Sequence, residues 1–167
     1  MSISAAEYAP FYSGYVKNVT MDVLQELRHQ AVDFTRFIQD IPEAKTHFAY
    51  AAEKWTVAGV IGHLLDTERV MAYRALCFAR HNGVAQPGFD ENVFAQNANY
   101  DDRTLGSLAT EFQLLRNCNL LMFESFSAEA LQNSGVANGK AITVRALLFV
   151  IAGHLIHHRN ILEERYL

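Results

Sequence analysis

Four long stretches of this chain repeat apolar residues at helical spacing, and no segment alternates cleanly between apolar and polar residues. That pattern constrains the fold more than any other feature. The first stretch covers residues 21–41 and stops at Pro42, because the residue before a proline leaves the helical region. The second starts at Thr56, a good N-cap, and runs to Arg80, with Asn82-Gly83 as its stop. The third covers about residues 104–126. The fourth starts at Thr143, another N-cap, and continues nearly to the end of the sequence. Four such helices without a sheet predict an all-α four-helix bundle, in a single domain over residues 1–167.

The connections refine that expectation. Residues 42–55 and 81–103 exceed a minimal turn, so a simple up-and-down order is not required. The longer one carries Gln86-Pro87-Gly88-Phe89-Asp90 and has the length of a lid or binding element. Ser127 caps one extra helical turn, and residues 135–142, centred on Asn138-Gly139, can close a small hairpin. Tyr8, Phe11, Tyr12 and Tyr15 read as an arm packed over the bundle.

Composition narrows the function. The net charge is −4, and no cluster of Lys and Arg exceeds a dipeptide, which argues against nucleic acid and anionic membranes as partners. No uninterrupted apolar run approaches the length of a membrane span. Cys77 and Cys118 lack a C-x-x-C spacing, as fits a reducing, cytoplasmic setting. No signal peptide is apparent in residues 1–15.

Two segments echo each other, Ile61-Gly62-His63-Leu64-Leu65 and Ala152-Gly153-His154-Leu155-Ile156. The second continues into His157-His158. On a helical wheel His158 falls near the centre of the stripe Val144, Leu147, Ile151, Leu155 and Leu162, and His154 lies about 40° away. His157 falls well off that stripe. On the second helix, His63 sits at the edge of the stripe Val60, Leu64, Met71 and Phe78, on the side shared by Thr67 and Arg74. A buried imidazole must satisfy two ring nitrogens, and three in one interior are hard to satisfy with carbonyls alone. A divalent metal satisfies all three, and three protein ligands leave a coordination position open. His63, His154 and His158 are therefore the candidate metal ligands. Zinc, nickel, iron and copper all suit three imidazoles. The alternative is that each histidine is an ordinary core or surface residue. His154-Leu155-Ile156-His157-His158 is not H-E-x-x-H, so the zinc-protease reading lacks its general base.

Other residues have two readings each. Glycine inside a helix costs ~1 kcal/mol relative to alanine, so Gly62 and Gly153 imply close approach between helices near the site, or mere relief of crowding. Asp66, one turn from His63, could orient a ligand or simply pair with Arg69. Arg74, Arg80, Arg145 and Arg159 could line an anionic pocket or join surface ion pairs. Trp55 could form a pocket wall, but it reads first as a hydrophobic staple against the following turn. Ala146, Phe149, Val150, Gly153 and Ile156 make a second apolar face on the fourth helix. A helix apolar on two sides is buried on two sides; a neighbouring helix of the same bundle can cover part of this face, and the remainder predicts a homodimer.

Lys54-Trp55-Thr56-Val57, then Gly62-His63-Leu64, then Asp66-Thr67-Glu68-Arg69 with Tyr73-Arg74-Ala75 form an ordered set. Pro87-Gly88-Phe89-Asp90 and Gly153-His154-Leu155-Ile156-His157-His158 through Glu164-Arg165-Tyr166 continue it. Over nearly the whole chain this set resembles the DinB-like (DinB/YfiT) superfamily. One departure is Ala52-Glu53, where a Pro-Gly-like turn is more typical. The resemblance implies a four-helix bundle, often dimeric, with a metal held by His63, His154 and His158. It also implies relatives that transfer low-molecular-weight thiols. The leading expectation is a metal-dependent enzyme of the thiol S-transferase type acting on a small-molecule substrate. Metal-dependent hydrolysis of a small molecule is the alternative within enzymes. A non-catalytic helical binding or interaction module is the alternative outside them.

Overall fold

The computed structural model describes residues 3–167. Seven α-helices occur among them: α1 (Ser13–Asn18), α2 (Val23–Asp40), α3 (Val57–Arg80), α4 (Glu91–Asn97), α5 (Leu105–Glu124), α6 (Ala128–Gln132) and α7 (Val144–Arg165). The long ones, α2, α3, α5 and α7, are the bundle, and their starts follow from capping chemistry. Asp22, Thr56, Thr104 and Thr143 each accept a backbone N–H of the first turn through the side chain. Ser127 does the same for α6. α2 packs chiefly against α5, and α3 against α7.

The hairpin forms where expected. Strand β2 (Ser134–Ala137) pairs antiparallel with β3 (Lys140–Thr143) across Asn138 and Gly139, both at positive φ, the geometry a two-residue hairpin turn demands. A two-residue strand, β1 (Ala85–Gln86), adds to β2 in parallel. At that length it leaves no pattern in a sequence. Glu53 takes φ 61°, a left-handed conformation that favours glycine, at the position where Ala52-Glu53 departs from a Pro-Gly-like turn.

The interior divides into two apolar cores. In one, Val23, Leu27, Phe78, Phe123 and Leu147 pack with the docked arm residues Tyr12 and Val16. In the other are Phe34, Ile61, Leu65, Phe112, Leu155 and Leu162. Between them each long helix contributes polar residues at mid-length: Gln30 on α2, His63, Thr67 and Glu68 on α3, Arg116 and Asn119 on α5, and His154 on α7, all buried. Most of this layer is a closed network. Arg116 grips both oxygens of Glu68, at 2.8 Å each, and donates to Gln30 Oε1 at 2.7 Å. Asn119 donates to Glu68, and Gln30 donates to Glu26 and to the Ala152 carbonyl. Buried charge is tolerable when it is paired and hydrogen-bonded in this way.

The second apolar face of α7 is covered by the chain itself. α1 lies along α7, and Ala146, Phe149 and Val150 are buried beneath the N-terminal region. That removes the exposed patch on which the expectation of a homodimer rested. Gly153 makes the docking feasible. A Cβ at this position would stand 1.9 Å from the Tyr15 carbonyl oxygen. The close approach is thus to the arm's backbone rather than to another bundle helix. The arm is tied down again where Arg145 and Thr143 bond Glu7. Hydrogen bonds from Arg145, the Ser4 amide and Thr143 outweigh the effect of burial and hold the Glu7 carboxyl below its usual range.

Candidate metal centre

α3 and α7 place His63, His154 and His158 together, and one ring nitrogen of each lies within 4.8 Å of the others. The Nε2 atoms of His63 and His154 are 3.0 Å apart. Ring centroids are 4.9 Å apart for His63 with His154, 4.9 Å for His63 with His158, and 4.5 Å for His154 with His158. A tetrahedral ion bound at ~2.0–2.1 Å needs its nitrogens about 3.3 Å apart. The His63–His154 separation is close to that spacing, and all three rings stand near enough to share one ion.

Their electrostatics suit a ligand role. Burial disfavours the charged form, so the His63 pKa falls to about 4. Burial, then the neighbouring His63 and His157, lower His158 to about 3. Burial and the other three histidines hold His154 well below its ordinary value. Neutral imidazoles at neutral pH keep the lone pair that coordinates a metal. The donor set thus fits a divalent cation. His157 is exposed, at the cavity rim beside Tyr15, as its wheel position indicates.

The three rings open onto a cavity of ≈ 490 Å³. One wall is a stripe of α3, His63, Thr67, Met71 and Arg74, with residues spaced three or four apart. Tyr15 and Trp55 close it at the histidine end, Trp55 with its ring 4.6 Å from that of His63 and Tyr15 edge-on to His154 at 5.2 Å. Trp55 is therefore a pocket wall, more than the staple its sequence position suggests. It also borders a second cavity of ≈ 270 Å³ that reaches His158. Thr67, one turn beyond His63, is 5% exposed, and its hydroxyl has no hydrogen-bond partner. An unpartnered buried hydroxyl on the wall is available to whatever group binds beside the histidines.

The long connection between α3 and α5 serves as a roof. Phe89 and Glu91 line the cavity, and the Pro87 carbonyl accepts from Arg74. Tyr100 packs its ring on Gly62, where a Cβ would fall 2.1 Å from it, and donates to Asp66 at 2.7 Å. Asp66 is thus engaged by Tyr100 and by Arg69, not by the histidines. Burial and the bond to Asp66 raise the Tyr100 pKa well above its ordinary value. Of the arginines considered, only Arg74 lines the cavity. Arg145 and Arg159 form ion pairs, and Arg80 lies over the Phe126 ring.

Comparison with known proteins gives a consistent picture. The family model for the DinB superfamily matches residues 26–162. No curated protein matches the sequence significantly. Among solved structures, YfiT from Bacillus subtilis is similar, with a TM-score of 0.67 and 18% identity, covering 94% of this chain and 84% of that one. YfiT is described as "a probable metal-dependent hydrolase with an unusual four-helix bundle topology". A DinB-like protein of the same organism, YjoA, has a TM-score of 0.61 and 18% identity, covering 84% of this chain and 86% of that one. At these identities the likeness is one of fold.

Proposed function

The chain belongs to the DinB superfamily, and from that premise we propose that it is a metal-dependent enzyme acting on a small molecule, with His63, His154 and His158 as the metal ligands. The observation that carries this reading is the convergence of three neutral imidazoles, His63 and His154 buried and His158 half-buried, at the end of a roofed cavity. A divalent ion there, zinc for preference, would supply Lewis acidity and would lower the pKa of a thiol or water bound to it. The protein's own residues do the rest. Trp55 and Tyr15 pack against the rings of His63 and His154, and the unpartnered Thr67 hydroxyl on the same wall would hydrogen-bond a group bound there.

We favour thiol S-transfer as the reaction. A transfer brings two molecules together, and beside the cavity lined by all three histidines a second one, bordered by Trp55, reaches His158. Hydrolysis of a small molecule is the second reading, favoured by the description of YfiT. Absence of bound metal would leave a binding module.

The test is elemental analysis of untagged protein purified without metal-affinity resin. Near-stoichiometric divalent metal is expected. His63→Ala, His154→Ala and His158→Ala should each lose most of it, and His157→Ala should keep it. Equal retention in all four variants refutes the ligand assignment. A screen pairing small thiols with electrophiles, run beside ester and amide substrates, then separates transfer from hydrolysis.

A further inference from the structure

The cavity contains a buried cation that the metal reading leaves unused. Arg74 is 3% exposed and lines the cavity on the same α3 stripe as His63. Its bonds are a 2.7 Å donation to the Pro87 carbonyl and a 3.5 Å contact with the Met71 sulfur, with Phe89 packed against the guanidinium at 5.7 Å. No carboxylate among the described residues lies within ion-pair distance. Glu91, the cavity's own carboxylate, is exposed and forms no ion pair with it.

That is an unusual state for a guanidinium. Buried charges are ordinarily paired, because removing an ion from water costs several kcal/mol. The bundle's other deeply buried arginine shows the ordinary solution. Arg116 is 0% exposed and holds both oxygens of Glu68. Arg74 has a neutral carbonyl and a thioether instead. It stays charged, since a guanidinium does not lose its proton in proteins, so its charge is left for something outside the chain. Met71 and Phe89 pack against Arg74, and the cavity wall also carries the apolar or aromatic side chains of Tyr12 and Val150.

We propose that Arg74 is the anion-recognising end of the cavity, and that the small molecule presented to the histidines carries a carboxylate on an apolar body. A guanidinium has N–H donors in a planar fork that matches a carboxylate, and two of the five N–H groups are engaged at most. Eleven residues of helix, ~16 Å of rise, separate Arg74 from His63, so the ligand has an extended body. The proposal rests on the cavity being the substrate site of the metal reading, and its test is kept independent of the metal.

Trp55 is the chain's one tryptophan and lines the cavity, so its fluorescence reports occupancy. The full-length protein, as purified and after chelator treatment, is titrated with octanoate, octanamide and octyl phosphate. Octanoate is expected to bind at least about ten-fold more tightly than octanamide in both forms, because a charge-assisted pair replaces a neutral one. Arg74→Met should bring the two within about two-fold, and Arg74→Lys should fall between, with circular dichroism confirming the fold. Octanoate that fails to bind, or binds no better than octanamide, overturns the proposal even if no variant folds. An unchanged preference in folded Arg74→Met overturns it too. Octyl phosphate binding more tightly than octanoate overturns the carboxylate assignment. Protein that carries no metal as purified yet keeps the octanoate preference refutes the metal reading alone.

Discussion

Acidifying the metal-free protein should unfold it through the histidine cluster. His63 and His158 have folded-state pKa values of about 4 and about 3, against an ordinary value of 6.5. The unfolded chain therefore binds protons that the folded one refuses. Stability is complete above pH 6.5 and is lost as the pH falls from there towards the folded values. Between pH 7 and pH 5 each such histidine costs about 2 kcal/mol, so these two together cost about 4 kcal/mol. His154, shifted in the same direction, adds to the loss. That is a large share of the ~5–15 kcal/mol that keeps a typical domain folded. Urea unfolding of chelator-treated protein is the assay, and the midpoint should drop by about 2 M or more between pH 7 and pH 5. The triple variant His63→Gln, His154→Gln, His158→Gln should lose most of this dependence. A wild-type midpoint that does not move, or an equal drop in the triple variant, refutes the reasoning.

Three further outcomes are expected. Arg116→Met strands the Glu68 carboxylate in the interior and should cost ~3–5 kcal/mol in chemical unfolding, whereas adding Glu68→Leu should restore most of it; an additive double variant would count against a coupled pair. Gly153→Ala drives a methyl group into the Tyr15 carbonyl, so residues 5–18 should detach and become sensitive to limited proteolysis; unchanged protection shows that the arm is not seated there. A homodimer, which the family resemblance implies, would have to use a surface other than the covered face of α7 and would scatter light at twice the 18.8 kDa chain mass; a monomer throughout the micromolar range rules it out.

Much of this architecture was legible in the sequence because it is written in local chemistry. Thr56, Thr104 and Thr143 mark helix starts through hydroxyls that reach only the next turn, and Asn138-Gly139 marks a turn that needs two positive φ angles. The histidines were legible because α3 and α7 each bury most of their surface, so wheel positions translate directly into proximity. The Arg116–Glu68 network was missed, although it left a trace. Gln30 falls in register with Val23, Leu27, Phe34 and Ile38, and Arg116 and Asn119 fall in register with Phe112 and Phe123. Polar residues on an apolar stripe are the signal, but which helices face one another is needed to pair them. Tyr100 was beyond reach, and Trp55 read as a staple before a pocket wall, because loop geometry decides where their rings go. The second face of α7 was misjudged because a short arm, rather than another molecule, covers it.

The seating of Tyr15 against Gly153 has a consequence for how the protein is made. The arm is made before the bundle, yet its docking surface belongs to α7, the last of the long helices described. His63 likewise waits on His154 and His158, 91 and 95 residues further along. Neither the histidine cluster nor the wall beside it can exist on a nascent chain until α7 is free. An ion held by these three histidines would therefore meet no finished site until α7 has been made and the bundle has closed.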